Sequence, residues 1–166
     1  MASLRAQAEL AAEAVLEQSW DYGKFPVNPI EIAKKMGLKV FEAQLPGNVS
    51  GLLKKEPGFD AEIYLDVDDA VNRRRFTCAH ELGHFVKRDG QGEMAYVERR
   101  DGESSEGVDP EEIYANAFAA ALLMPASTVR ALYRTGAGVA EMARLLHVSS
   151  QSLSYRLVNL GLVTQT

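Results

Sequence analysis

His80-Glu81-Leu82-Gly83-His84 is an H-E-x-x-H sequence in a chain that holds only three histidines. On a helix, residues four apart lie about 40° from each other around the axis, so both imidazoles leave one face and could grip one ion. Zinc suits them, since it accepts imidazole nitrogen, wants about four ligands and, in catalytic sites, keeps one position open for water. Glu81 is turned about 100° from His80, which sets its carboxylate beside that water rather than on the metal. Asp69-Ala70-Val71-Asn72-Arg73-Arg74-Arg75-Phe76-Thr77-Cys78-Ala79 runs into the motif without Pro or Gly, and Asp89-Gly90 closes it, which predicts a helix over 70–88. Phe76, Ala79, Gly83 and Val86 make an apolar stripe, with the histidines beside it, as on a helix lining a cleft.

A third protein ligand is needed. His147 lies in Leu145-Leu146-His147-Val148 between two short helical patterns, where it reads as a half-buried histidine packing a turn. A carboxylate is the better candidate. Asp109-Pro110-Glu111-Glu112 has the form of a helix start, with Asp109 as N-cap and Pro110 at the first position, and the helix runs on to Met124 and stops at Pro125. Glu112 and Asn116 share a face. That spacing lets Glu112 bind the metal while the Asn116 side chain accepts a hydrogen bond from the other nitrogen of a ligand imidazole. The spacing reads equally well with Glu112 as a third-position capping carboxylate.

Arg74-Arg75-Phe76-Thr77-Cys78-Ala79-His80-Glu81-Leu82-Gly83-His84, followed by Glu112-Ile113-Tyr114-Ala115-Asn116-Ala117-Phe118-Ala119-Ala120-Ala121-Leu122-Leu123-Met124-Pro125, resembles the paired signature of the ImmA/IrrE family of bacterial metallopeptidases. Pro26 to Val40 resembles that family's N-terminal helix-to-strand passage, so the likeness covers most of residues 26–125. The resemblance implies that Glu112 is the third zinc ligand. It also implies a protease that cuts helix-turn-helix repressors and so releases genes of mobile elements, stress responses or defence systems. The segment from Glu93 to Gly107 matches no pattern of the family.

Composition fits a small enzyme. A chain of 166 residues, 46% hydrophobic, can bury one good core. Its one cysteine excludes a disulfide framework, and Cys78, two residues before His80, points to the opposite side of the helix and reads as a small buried apolar group. Arg5, Glu9, Glu13 and Glu17 among alanines make the first twenty residues an amphipathic helix rather than a secretory signal, and no apolar run reaches membrane-spanning length, so a cytoplasmic protein is expected. The formal charge of -5 argues against nucleic-acid binding over the whole surface.

Outward from the motif, Asn28-Pro29-Ile30-Glu31 opens a short helix ending near Gly37, and 38–42, 51–55 and 62–67 are short β-type runs, the last two joined by a hairpin-like turn at 56–60. One of these runs is expected to be an edge strand that holds a substrate backbone in extended form. Arg88 to Val108, rich in Gly, Glu and Ser with Met94-Ala95-Tyr96-Val97 as its only apolar patch, reads as a mobile surface loop. Helical patterns follow at 127–134, 139–146 and 149–160. Ala140 to Leu157 resembles a helix-turn-helix, and Arg130, Arg134, Arg144 and Arg156 make it locally basic. We expect the leucine face of Leu145, Leu146, Leu153, Leu157 and Leu160 to pack on the core, with Arg144 and Arg156 at the rim and DNA contact the less favoured role.

The sequence thus predicts an α+β protein, with a zincin-like core over 1–125 built on a short mixed or antiparallel sheet and two metal-binding helices, and a C-terminal helix-turn-helix-like lobe over 126–166. Taken with the family resemblance, which implies Glu112 as the third ligand and a helix-turn-helix repressor as substrate, one zinc per chain is expected, held by His80, His84 and Glu112, with Glu81 as catalytic base and Asn116 supporting a ligand imidazole. Tyr96, Tyr155 and an arginine are candidates for steadying the oxyanion. The rival reading is a non-proteolytic regulator that binds a repressor or DNA through its tail, with zinc as a structural staple.

Overall fold

Capping chemistry sets several element boundaries in the computed structural model, which describes residues 1–21, 23–101 and 109–165. Ser3 accepts the Ala6 amide at the start of α1 (Leu4–Ser19), and Asn28 accepts the Ile30 and Glu31 amides at the start of α2 (Pro29–Lys35), whose first residue is the proline. Three strands follow, β1 (Lys39–Ala43), β2 (Val49–Lys55) and β3 (Glu62–Asp66), and then the long helix α3 (Val71–Gly90). The chain returns as β4 (Tyr96–Asp101), after which Asp109 caps α4 (Pro110–Leu123) by accepting the Glu111 amide. α5 (Ala126–Arg134), α6 (Val139–Leu146) and α7 (Ser150–Asn159) complete an α+β fold.

The sheet is mixed, in the order β1-β3-β2-β4, with β1 parallel to β3 and the other two pairings antiparallel. One expectation changes here. The stretch expected to be a loop from 88 to 108 contributes six residues to the sheet, because β2 pairs antiparallel with β4 from Lys55↔Tyr96 to Val49↔Asp101, with a register shift between Gly51 and Val49; residues 102–108 lie outside the described residues. Of the three foreseen runs, the one at 38–42 is the edge strand β1 and those at 51–55 and 62–67 are interior; the other edge is the unforeseen β4.

One hydrophobic core joins all layers. Leu53, Ile63 and Leu65 of the sheet, Cys78, Ala79 and Leu82 of α3, Phe118, Ala119 and Leu122 of α4, and Ala8, Ala12, Val15 and Leu16 of α1 belong to a single buried cluster. Each leucine or phenylalanine enclosed in it contributes about 1.5–3 kcal/mol. α4 is sandwiched between α1 and α3. α3 and α4 approach tightly at Gly83, where an added Cβ would stand 3.0 Å from the Phe118 ring.

The C-terminal helices feed the same cluster through Met142, Ala143, Leu146, Val148, Leu153 and Leu157, while Leu145 and Leu160 are half-buried. Arg156 is not at a rim. It is 5% exposed, its Nη1 and Nη2 donate to Glu9 at 2.8 and 2.6 Å and its Nε donates to the Met124 carbonyl at 2.9 Å, so it ties α7 to α1 and to the end of α4. Arg144 is exposed as expected. Arg75 of α3 makes a second tie, donating to the carbonyls of Val27 (2.7 Å), His147 (3.3 Å) and Leu146 (3.5 Å). His147 is exposed rather than half-buried, because it ends α6 in the left-handed conformation, φ 55°, which turns its ring outward. No single helix among the described residues is long and apolar enough to cross a membrane.

Candidate metal centre

α3 turns a continuous buried stretch, Thr77 to His84, toward the sheet and α4. His80 and His84 are one turn apart and project their Nε2 atoms to within 3.2 Å of each other. α4 brings Glu112 to them from its first turn, with Oε1 2.9 Å from His84 Nε2 and Oε2 3.3 Å from His80 Nε2. Ligand atoms from all three residues lie within 4.8 Å of one another, so the group could hold a metal ion. Two imidazole nitrogens and a carboxylate oxygen suit a zinc-type ion with one position left for another ligand. Asn116, one turn along α4 from Glu112, sets its Oδ1 2.8 Å from His80 Nδ1.

β4 adds a residue the sequence did not single out. Arg100 Nη1 lies 3.3 Å from Asn116 Oδ1 and 2.9 Å from His80 Nδ1, and the guanidinium stands 5.1 Å from the centre of the Phe76 ring. Its strand partner is Gly51 of β2. A Cβ on Gly51 would fall 2.4 Å from Thr77 Cγ2 and 3.4 Å from Glu81 Oε1, so this glycine is what lets α3 lie against the sheet with Glu81 between them. Neither residue carries a local signal, because Glu98-Arg99-Arg100-Asp101 reads as a solvated run and Gly51 as an ordinary strand end.

Electrostatics follow from enclosure. Both Glu81 oxygens are buried without a hydrogen-bond partner among the described residues, and burial pushes this carboxyl up to about 8, with Glu112 adding to the rise and the Arg100 charge opposing it. Burial pushes His80 down to about 4 against the opposing pull of its hydrogen bond to the Glu112 carboxylate, so its imidazole is neutral, the form a ligand needs. Burial alone would raise Glu112, but its hydrogen bonds with His80 and His84 outweigh that and hold it well below the usual carboxylate range. Cys78, on the other side of α3, is buried and pushed up to about 12 by desolvation.

The structure therefore brings His80, Glu81, His84, Glu112 and Asn116 together. It leaves His147 apart, at the end of α6, with its carbonyl accepting from Arg75. Of the oxyanion candidates, Tyr155 is 61% exposed on α7, and the Tyr96 hydroxyl is buried without a partner among the described residues.

The fold is similar to that of a solved Mycobacterium tuberculosis transcriptional regulator, with a TM-score of 0.63 at 18% identity, covering 92% of this chain and 46% of that one. The chain thus spans about half the length of that structure. No curated protein is similar enough in sequence to match the chain. The pattern of the Peptidase_M78 family, described as the IrrE N-terminal-like domain, matches residues 33–158, from α2 through the metal-site helices into α7. On that match, over a fold that gathers two histidines and a glutamate around one point, the chain belongs to the Peptidase_M78, IrrE N-terminal-like family.

Proposed function

We propose that the chain is a zinc-dependent endopeptidase whose substrate is a helix-turn-helix transcriptional repressor. The observation that carries the peptidase reading is the convergence of His80, His84 and Glu112 beside the buried, unpartnered carboxyl of Glu81. A structural zinc would want four protein ligands, and the described residues gather three. His80, His84 and Glu112 would hold the ion; zinc bound there supplies a Lewis acid for a carbonyl and for water. Glu81 takes a proton from the attacking water on its carboxylate and delivers it to the departing amide nitrogen. Asn116 holds the His80 ring in place. β4, whose Arg100 reaches the site and which is an edge strand among the described residues, offers that edge to an extended substrate segment.

The choice of repressor rests on family likeness, and the family match supports no more than a metallopeptidase-type or IrrE-like regulatory role. The test is co-expression with a helix-turn-helix repressor encoded beside this chain, read by mass spectrometry. Two discrete repressor fragments are expected with the wild type and none with Glu81→Gln, which should keep its zinc. An intact repressor with the zinc-loaded wild type would favour the non-proteolytic regulator, and cleavage by Glu81→Gln at near wild-type rate would remove the role given to Glu81.

A further inference from the structure

α6 and α7 supply no residue to the metal centre, yet together they form a complete helix-turn-helix. Three residues, His147 to Ser149, join the two helices. The first takes φ 55°, which turns the chain sharply, and Ser149 caps α7 by accepting the Ser152 amide. Met142, Ala143 and Leu146 of α6 and Val148 of the turn are buried with Leu153 and Leu157 of α7, which fixes the pair as a unit. The sequence set DNA contact second to packing on the core. The structure makes the two compatible, because separate faces of α7 serve them. Leu153, Arg156 and Leu157 turn inward, while Ser150, Gln151, Ser154 and Tyr155 are exposed along its N-terminal half.

We propose that this exposed face of α7 reads base edges in the major groove of duplex DNA. In a helix-turn-helix the N-terminal part of the second helix is the part that meets the bases. The side chains here suit that task. The Gln151 carboxamide presents a donor and an acceptor, as adenine requires, the two serine hydroxyls do either, and Tyr155 offers a hydroxyl on an apolar ring. None of the four is charged and none is aliphatic, so the face fits neither an acidic peptide nor the apolar stripe of a partner helix. Charge points the same way. Residues 126–166 carry four arginines and one acid, Glu141, a net +3 in a chain whose total is -5. Arg156 is engaged with Glu9, and Arg130 is half-buried and donates to the Leu160 carbonyl, but Arg134 and Arg144 are exposed. Arg144 lies on α6, the helix of such a pair that crosses the phosphate backbone, where a cation displaces counterions. A positive lobe on a negative chain also draws DNA to this end of the molecule rather than to its whole surface.

The proposal stands apart from the peptidase reading, since it uses none of the metal-site residues. Its test is selection from a random-sequence duplex DNA library by the full-length chain in about 50 mM salt, followed by titration of the enriched duplex and a scrambled one across a range of salt. Wild type should enrich one short sequence and hold it about tenfold or more tightly than the scrambled duplex. Gln151→Ala combined with Tyr155→Ala should erase most of that preference. Arg144→Ala should weaken both duplexes alike and lower the slope of log affinity against log salt by about one. All three side chains are exposed, so thermal unfolding of the variants should match wild type. Failure of the wild type to enrich any sequence, or a preference that the double variant leaves untouched, would overturn the proposal. Loss of repressor cleavage in the double variant, with no duplex preference in the wild type, would make the face a protein-docking surface instead.

Discussion

At the scale of the residue, Glu81 is a carboxyl group that the fold encloses and does not satisfy. Its folded value of about 8 stands above its usual 4.5, so in the metal-free protein the folded state keeps a proton that the unfolded state has already released. The resulting penalty is absent below about pH 4.5, grows as pH rises and levels off near 8. Glu81→Gln carries no such penalty. With chelator present, urea denaturation should show the variant gaining on the wild type by at most about 1.4 kcal/mol per pH unit between those limits; a gap that stays level with pH would contradict a buried neutral Glu81. Most of the residues around Glu81 were legible in the sequence, because His80, His84, Glu112 and Asn116 sit at helical spacings whose geometry is fixed locally. Arg100 was not, because its place depends on a strand pairing with β2 that no residue near it announces.

At the scale of the element, the helices with polar caps and first-turn prolines fell where their sequences put them, and β4 did not. Tyr96-Val97-Glu98-Arg99-Arg100-Asp101 lacks an alternation of apolar and polar residues because its half-buried positions after Tyr96 are the charged Glu98 and Arg100, and what holds it is the backbone ladder to β2 together with the Arg88–Glu98 ion pair and the Arg88 guanidinium over the Tyr96 ring. β2 in turn depends on Gly51. Gly51→Ala would drive a methyl to 2.4 Å from Thr77 Cγ2 with no backbone strain involved, and overpacking of this kind costs about 1–3 kcal/mol. Chemical denaturation should show that loss, and Thr77→Ser, which deletes the colliding Cγ2, should recover most of it. If the double variant were no more stable than Gly51→Ala alone, the close approach of β2 and α3 would not be the cause.

At the scale of the whole molecule, α6 and α7 are tied to the rest of the chain by the internal arginines Arg75 and Arg156. Nothing near Arg156 in the chain indicates its burial, since its partner Glu9 lies 147 residues away. Arg156 is buried while Glu9 stays partly exposed, so Arg156→Ala loses a half-buried ion pair, the bond to the Met124 carbonyl and the packing of the arginine stem and should destabilise the protein by about 1–3 kcal/mol, whereas Arg144→Ala, on the exposed face of α6, should stay within about 0.5 kcal/mol of wild type. Equal losses in thermal or urea denaturation would show that the tie between α7 and α1 carries little.

The two helices of the metal centre supply their ligands from opposite ends of one excursion of the chain. His84 and Glu112 are 28 residues apart, and β4 lies between them. An ion gripped by both would close that stretch into a ring, as a staple does, and would trim the freedom of the unfolded chain there more than anywhere else. Loading the centre would then hold the edge strand in the sheet by topology as well as by its ladder, so that release of the ion and loosening of β4 become one event.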